Sequence, residues 1–290
     1  MFTGALIAIV TPFRNGKFDE RAFGDLIEWQ IANGTSGIVP CGTTGESATL
    51  SHEEHHRVIE LTVEVVHRRV PVIAGAGSNS TAEAISLTKH AKQAGADGAL
   101  LITPYYNKPT QEGLYRHYKA IAESVDLPQI LYNIPGRTGV NMLPSTVERL
   151  CGLQNIVGIK EGSGSVQQAS EIVRTCGDEI TVLAGDDALT LPMMAVGGKG
   201  VISVTSNIVP AEMAQLVKAF LDGCIDEARR IHFALSPLFT ALFYETNPIP
   251  VKTALGMMGK IDPELRLPLC AMAAETKDQL TKALKDAGLI

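Results

Sequence analysis

The sequence predicts an α/β fold: a (β/α)8 TIM barrel with a small helical extension at its C-terminal end. Three observations predict it. Strand-like apolar runs alternate with helix-length amphipathic segments as far as Val209. The runs are almost continuously apolar, as parallel strands covered on both faces must be. There are eight of them, the number that closes a parallel barrel. An open doubly wound sheet competes less well, because no strand is followed by a GxGxxG turn.

In order, the expected strands are Ala5–Val10, Gly37–Val39, Val72–Gly75, Gly98–Ile102, Gln129–Tyr132, Ile156–Lys160, Thr181–Ala184 and Gly200–Val204. Between them the spacing predicts helices over Asp19–Ala32, His52–His67, Ala82–Ala94, Gln111–Ser124, Ser145–Leu150, Val166–Thr175 and Ala188–Val196. Ser51 followed by Glu54 is a capping-box pattern, and Asn33-Gly34 and Ala94-Gly95 read as helix stops. After Pro210 the pattern turns wholly helical, over Pro210–Leu221, Ile225–Phe243, Pro248–Gly256 and Ala271–Ala287. The expected division is a barrel over 1–222 and a helical extension over 223–290.

Composition narrows the function. With 290 residues, 45% apolar and 19% charged, the chain has the size and balance of one large globular barrel. No run approaches the ~18 apolar residues of a membrane span. The apolar N-terminal run lacks the basic leader and cleavage site of a signal peptide, so a cytoplasmic protein is expected. Cys41, Cys151, Cys176, Cys224 and Cys270 are scattered without metal-ligand spacing, as reduced thiols would be. A net charge of −6 with no basic stripe argues against nucleic acid as a partner.

Barrel catalysis sits at the carboxyl ends of the strands, so the residues that follow each run matter most. Gly42-Thr43-Thr44-Gly45-Glu46 follows the second run, and Tyr105-Tyr106-Asn107-Lys108-Pro109 closely follows the fourth. Tyr132 ends the fifth and leads to Gly136-Arg137-Thr138-Gly139. Lys160 closes the sixth, Gly185-Asp186-Asp187 follows the seventh, and Thr205-Ser206-Asn207 the eighth. Hydroxyls, phenols, one arginine and one lysine thus converge on one rim.

Lys160 ends an Ile-Val-Gly-Ile-Lys run just before Gly162-Ser-Gly164. A buried ammonium is costly, and desolvation lowers its pKa toward the neutral amine that a Schiff-base nucleophile requires. Taken alone, a strand-end lysine is more often paired with a nearby acid. Gly42–Gly45 is either an ordinary turn or an N–H and hydroxyl cradle for a small anion. It is no nucleotide loop, since the P-loop lysine is missing. Together, the lysine and the loop suggest an α-keto acid whose carboxylate meets the loop and whose ketone meets the amine. Tyr132 and Tyr106 are either packed phenols or proton carriers working with Thr44. Arg137 is either a solvated side chain or a fork for a second carboxylate. Asp186 and Asp187 read as helix caps, and His52 and His55 as a solvated helix N-terminus without zinc-site spacing.

These motifs, in this order, resemble the 4-hydroxy-tetrahydrodipicolinate synthase (dihydrodipicolinate synthase) family. That family lies within the pyruvate-dependent class I aldolase superfamily that also holds N-acetylneuraminate lyase. The resemblance runs through Gly42–Glu46, Tyr105–Pro109, Tyr132–Gly139 and Gly158–Glu161. It implies a Schiff base between Lys160 and pyruvate, with no metal or other cofactor. Thr43 and Thr44 would hold the pyruvate carboxylate, and Gly185 and Ile202 would line the pyruvate side. The resulting enamine would add to L-aspartate 4-semialdehyde, whose carboxylate would meet Arg137. Thr44, Tyr132 and Tyr106 would relay protons, with Tyr106 given across a dimer interface of a homotetramer built as a dimer of dimers.

The resemblance also gives the histidines a role that spacing does not. Ser47, Ala48, His52, His55, Asn79, Glu83 and Tyr105 match an inhibitory L-lysine site. Two other readings stay open. GTTGE and Arg137 favour the synthase over a sugar-acid lyase, and the nucleophile with its relay argues against a non-catalytic keto-acid or amino-acid sensor.

Overall fold

A computed structural model of the chain describes residues 2–290. Eight parallel strands form the barrel: β1 Gly4–Ala8, β2 Gly37–Val39, β3 Ile73–Gly75, β4 Gly98–Ile102, β5 Gln129–Asn133, β6 Ile156–Glu161, β7 Thr181–Ala184 and β8 Gly200–Ser203. Each pairs with its neighbour in sequence, and β8 returns to β1. The ring closes between β2 and β3 through a single parallel bridge, Ile38 to Val72. The expected barrel is therefore the observed one.

Around it lie α1 Glu20–Ala32, α2 His52–Val66, α3 Thr81–Ala94, α4 Gln111–Ser124, α5 Pro144–Cys151, α6 Val166–Cys176, α7 Thr190–Ala195 and α8 Pro210–Leu221. Three more helices follow: α9 Ile225–Ala241, α10 Ile249–Met257 and α11 Ala274–Asp286. The capping box predicted for α2 forms, with the Ser51 side chain accepting from the Glu54 N–H and the Glu54 carboxylate accepting from Ser51 N–H. Gly95, in the left-handed region at φ +89°, stops α3.

Two differences from expectation have local causes. A two-stranded hairpin, Phe13–Arg14 with Lys17–Phe18, turns at Asn15-Gly16 and is too short to show alternation. The helix expected over 188–196 is split into a 3₁₀ turn, Asp187–Leu189, and α7, because the Asp187 side chain is drawn inward.

Apolar side chains fill two regions. Leu6, Ala8, Val39, Ile73, Leu100, Ile130, Leu183 and Ile202 pack inside the barrel with Tyr132, while a larger layer lies between strands and helices. Strand alternation sends Lys160 to the same side as Tyr132, its register partner on β5. Among the described residues, no helix is long and apolar enough to cross a membrane.

Candidate active site

The β6 strand carries Lys160 to the carboxyl-end mouth and leaves it buried. Its Nζ lies 4.3 Å from the centre of the Tyr132 ring. Burial lowers its pKa to about 8; the Asp187 carboxylate opposes that shift and the Arg137 guanidinium adds to it. The amine therefore reaches its neutral, nucleophilic form near physiological pH. Tyr132 is buried as well. Burial pushes its phenol up to about 12, with the Arg137 charge and a hydrogen bond from Thr43 opposing. A phenol held so firmly protonated is a proton donor at rest.

The loop after β2 has a fixed shape. Gly45 N–H bonds to Gly42 carbonyl and Glu46 N–H to Thr43 carbonyl, each at 3.1 Å. Close packing with β3 confines it, since a Cβ on Gly75 would lie 2.1 Å from the Cys41 carbonyl. The hydroxyl beside the Tyr132 phenol is that of Thr43. Thr44, the relay residue that the resemblance implies, stands next to it in the loop. Thr44 is buried, and its Oγ1 accepts from Asn247 Nδ2 at 3.0 Å.

Arg137 sits on the short helical turn Pro135–Thr138 and donates through Nη2 to the Asn247 carbonyl at 3.0 Å. Gly185 follows β7, where its N–H bonds to the Glu161 carbonyl at 2.7 Å, and Ile202 lies in the barrel interior. Tyr106 is not gathered with the others. It is 89% exposed and held at φ +69°, a left-handed conformation unusual for a bulky residue. Its neighbours brace it: Asn79 Nδ2 donates to the Tyr105 carbonyl and Asn107 Nδ2 to the Asn79 carbonyl.

A cleft of about 520 Å³ opens over the loop, lined by Thr43 and Arg137 together with Ser47, Ala48, His52, His55, Glu83 and Tyr105. Asn79 joins this set through its bond to Tyr105. His52 pairs with Glu83 at 3.3 Å, and Ser78 also hydrogen-bonds Glu83. His55 departs from the solvated position its spacing suggested. It is buried, its Nε2 lies 2.9 Å from the Gly75 carbonyl, and burial pushes its pKa down to about 4.

Sequence reasoning missed three contributors. Asp186 caps its turn as expected, but Asp187 turns inward, buried. Its Oδ2 accepts from Val204 N–H, Thr205 N–H and the Thr205 hydroxyl, and burial raises its pKa. Asn247 joins Arg137 to Thr44 from the C-terminal helices. Lys252 of α10 forms a buried ion pair with Glu46 at 2.6 Å. None of the three has a signal in its local sequence, because each acts across at least 15 residues of chain.

A nucleophilic amine and a phenol facing one another at the mouth of a closed parallel barrel define a barrel enzyme with its chemistry at the strand ends. A family model described as the dihydrodipicolinate synthetase family matches residues 1–287, and the chain belongs to that family. It is an enzyme of the lyase type. The chain is 62% identical, over the full length of both, to a protein from Thermodesulfovibrio yellowstonii named 4-hydroxy-tetrahydrodipicolinate synthase. It superposes with a TM-score of 0.98 and 49% identity, 100% of each chain covered, on the chloride-inhibited dihydrodipicolinate synthase from Acinetobacter baumannii complexed with pyruvate. A lysine-bound enzyme of the same name from Cyanidioschyzon merolae gives a TM-score of 0.96 at 43% identity, covering 100% of this chain and 99% of that one.

Proposed function

We propose that this chain is a 4-hydroxy-tetrahydrodipicolinate synthase, condensing pyruvate with L-aspartate 4-semialdehyde on the way to lysine. The observation that carries the reading is Lys160, buried at the strand end, lowered in basicity and 4.3 Å from the Tyr132 ring. Its neutral amine adds to the pyruvate ketone, and loss of water leaves an imine. Removal of a methyl proton gives the enamine, whose carbon attacks the aldehyde of the semialdehyde. The semialdehyde's own amine then closes the ring on the former ketone carbon and releases Lys160. Lysine supplies the covalent catalysis, so the reaction calls for no metal or other cofactor.

The remaining roles divide by position. The Gly42–Gly45 loop, through Thr43 and Thr44, receives the pyruvate carboxylate, while Gly185 and Ile202 line the pyruvate side. Arg137 receives the carboxylate of the semialdehyde. Tyr132 and Thr44 pass protons, with Asn247 orienting the Thr44 hydroxyl. Tyr106 completes the relay in the partner subunit's site, a reading its exposure and left-handed backbone support. The assembly is a homotetramer of two dimers in the cytoplasm. L-Lysine inhibits by binding in the cleft, its ammonium pairing with Glu83 beside His52, Asn79 and Tyr105.

Turnover of pyruvate with aspartate semialdehyde, followed by a coupled reductase and repeated in millimolar L-lysine, tests the reading. Suppressed turnover is expected. Turnover indifferent to lysine removes the regulatory site and keeps the synthase. No turnover contradicts the reaction and moves attention to sugar-acid substrates.

A further inference from the structure

The loop that receives the keto acid is held by two residues that its own geometry does not favour. Cys41 and Glu46, on either side of Gly42–Gly45, both adopt left-handed backbone conformations, at φ +54° and +52°. Non-glycine residues stay in that region only where surrounding contacts over-determine them. For Cys41 the confinement comes from β3, packed against its carbonyl at Gly75. For Glu46 it comes from the C-terminal helices.

A closed circuit of buried polar contacts provides it. Lys252 Nζ, on α10, donates to Glu46 Oε1 at 2.6 Å and to the Thr11 carbonyl at 3.0 Å. The Thr11 hydroxyl donates to the Gly45 carbonyl at 2.7 Å, returning the circuit to the loop. Glu46 Oε2 accepts the Arg266 N–H at 3.2 Å. Four segments are thus joined: the exit of β1, the loop after β2, α10, and the stretch at Arg266. Lys252 and Glu46 have no measurable exposure between them beyond a few per cent, and Lys252 Nζ also sits 4.3 Å from the Phe13 ring centre. Replacing such an ion pair with packed apolar side chains is often neutral or stabilising, so stability alone is a weak reason for its presence.

We propose that Lys252 is a positioning residue: with Glu46 and Thr11 it fixes the loop in the shape that accepts the keto-acid carboxylate. This inference rests on the reading of that loop given above. The helical extension then sets affinity for the first substrate without touching it.

The test measures KM for each substrate, kcat, melting temperature and borohydride-trapped pyruvate in wild type, Lys252→Met and Thr11→Val. Thr11→Val removes only one hydroxyl and keeps the side-chain shape, so it decides the matter where Lys252→Met does not fold. The expected result is a rise in pyruvate KM of tenfold or more for Lys252→Met and severalfold for Thr11→Val. KM for the semialdehyde stays within twofold, and adduct yield at saturating pyruvate stays at the wild-type level. A purely structural role lowers the melting temperature and the active fraction while leaving pyruvate KM unchanged, and that result overturns the inference. Wild-type protein that traps no pyruvate overturns the reading of the site on which the inference rests.

Discussion

Lys160 is a weak base because of what surrounds it, and that makes its chemistry testable by pH. Burial lowers its pKa to about 8, with the Asp187 carboxylate pulling the other way. The rate of adduct formation with pyruvate should rise through a midpoint near pH 8 as the amine loses its proton. Asp187→Asn removes the opposing charge, so that midpoint should move to lower pH; stopped-flow trapping of the imine measures it, and an unchanged midpoint contradicts the assignment. Tyr132→Phe keeps the ring against Lys160 and removes the proton donor, and should cost on the order of 10²-fold in kcat. Lys160 was legible because apolar residues lead up to it and Gly162-Ser-Gly164 ends the strand at once. The inward turn of Asp187 was not. It stands beside Asp186, and only the backbone decides which of the pair turns inward.

At the scale of elements, the seam between α2 and β3 joins the cleft to the Gly42–Gly45 loop. His55 reaches the Gly75 carbonyl, while its Nδ1 is buried without a partner, so charging the ring is unfavourable in the folded state. Its folded pKa, about 4, lies below the ordinary value of 6.5, so the unfolded chain takes up the proton first. The stability this contributes is present above pH 6.5 and is lost as pH falls toward 4, by at most ~3 kcal/mol. Melting temperature followed across that range should fall more steeply for wild type than for His55→Asn, and parallel curves contradict the prediction. Gly75→Ala drives a Cβ to within 2.1 Å of the Cys41 carbonyl and should destabilise by roughly 1–3 kcal/mol in chemical denaturation. Most elements were legible from apolar runs and caps to within a few residues, as the α2 capping box illustrates. The Phe13–Phe18 hairpin escaped because strands of two residues carry no periodicity.

For the whole molecule, the C-terminal helices and the barrel are tied by contacts that cross the chain. Arg266 bonds the Glu54 carboxylate and the Thr49 carbonyl, Lys252 pairs with Glu46, and Asn247 reaches Thr44. We therefore expect residues 1–222 and 223–290 to unfold in one calorimetric transition, and two separate transitions would show that the extension is an independent unit. No local pattern announced these ties, since they span about 200 residues. Tyr106, 89% exposed in one chain, leads to a prediction about the assembly. Mixing inactive Lys160→Ala with impaired Tyr106→Phe should restore about a quarter of wild-type activity, because mixed dimers hold one site with both native residues. No recovery on mixing contradicts the shared relay.

The proposed function turns on Lys160 as the nucleophile that captures pyruvate. Borohydride reduction in the presence of pyruvate, followed by peptide mass spectrometry, is the decisive experiment. One reduced pyruvate per chain is expected, carried on the peptide containing Lys160 and absent from Lys160→Ala. An adduct on another lysine, or none in a protein that still turns over, would contradict it.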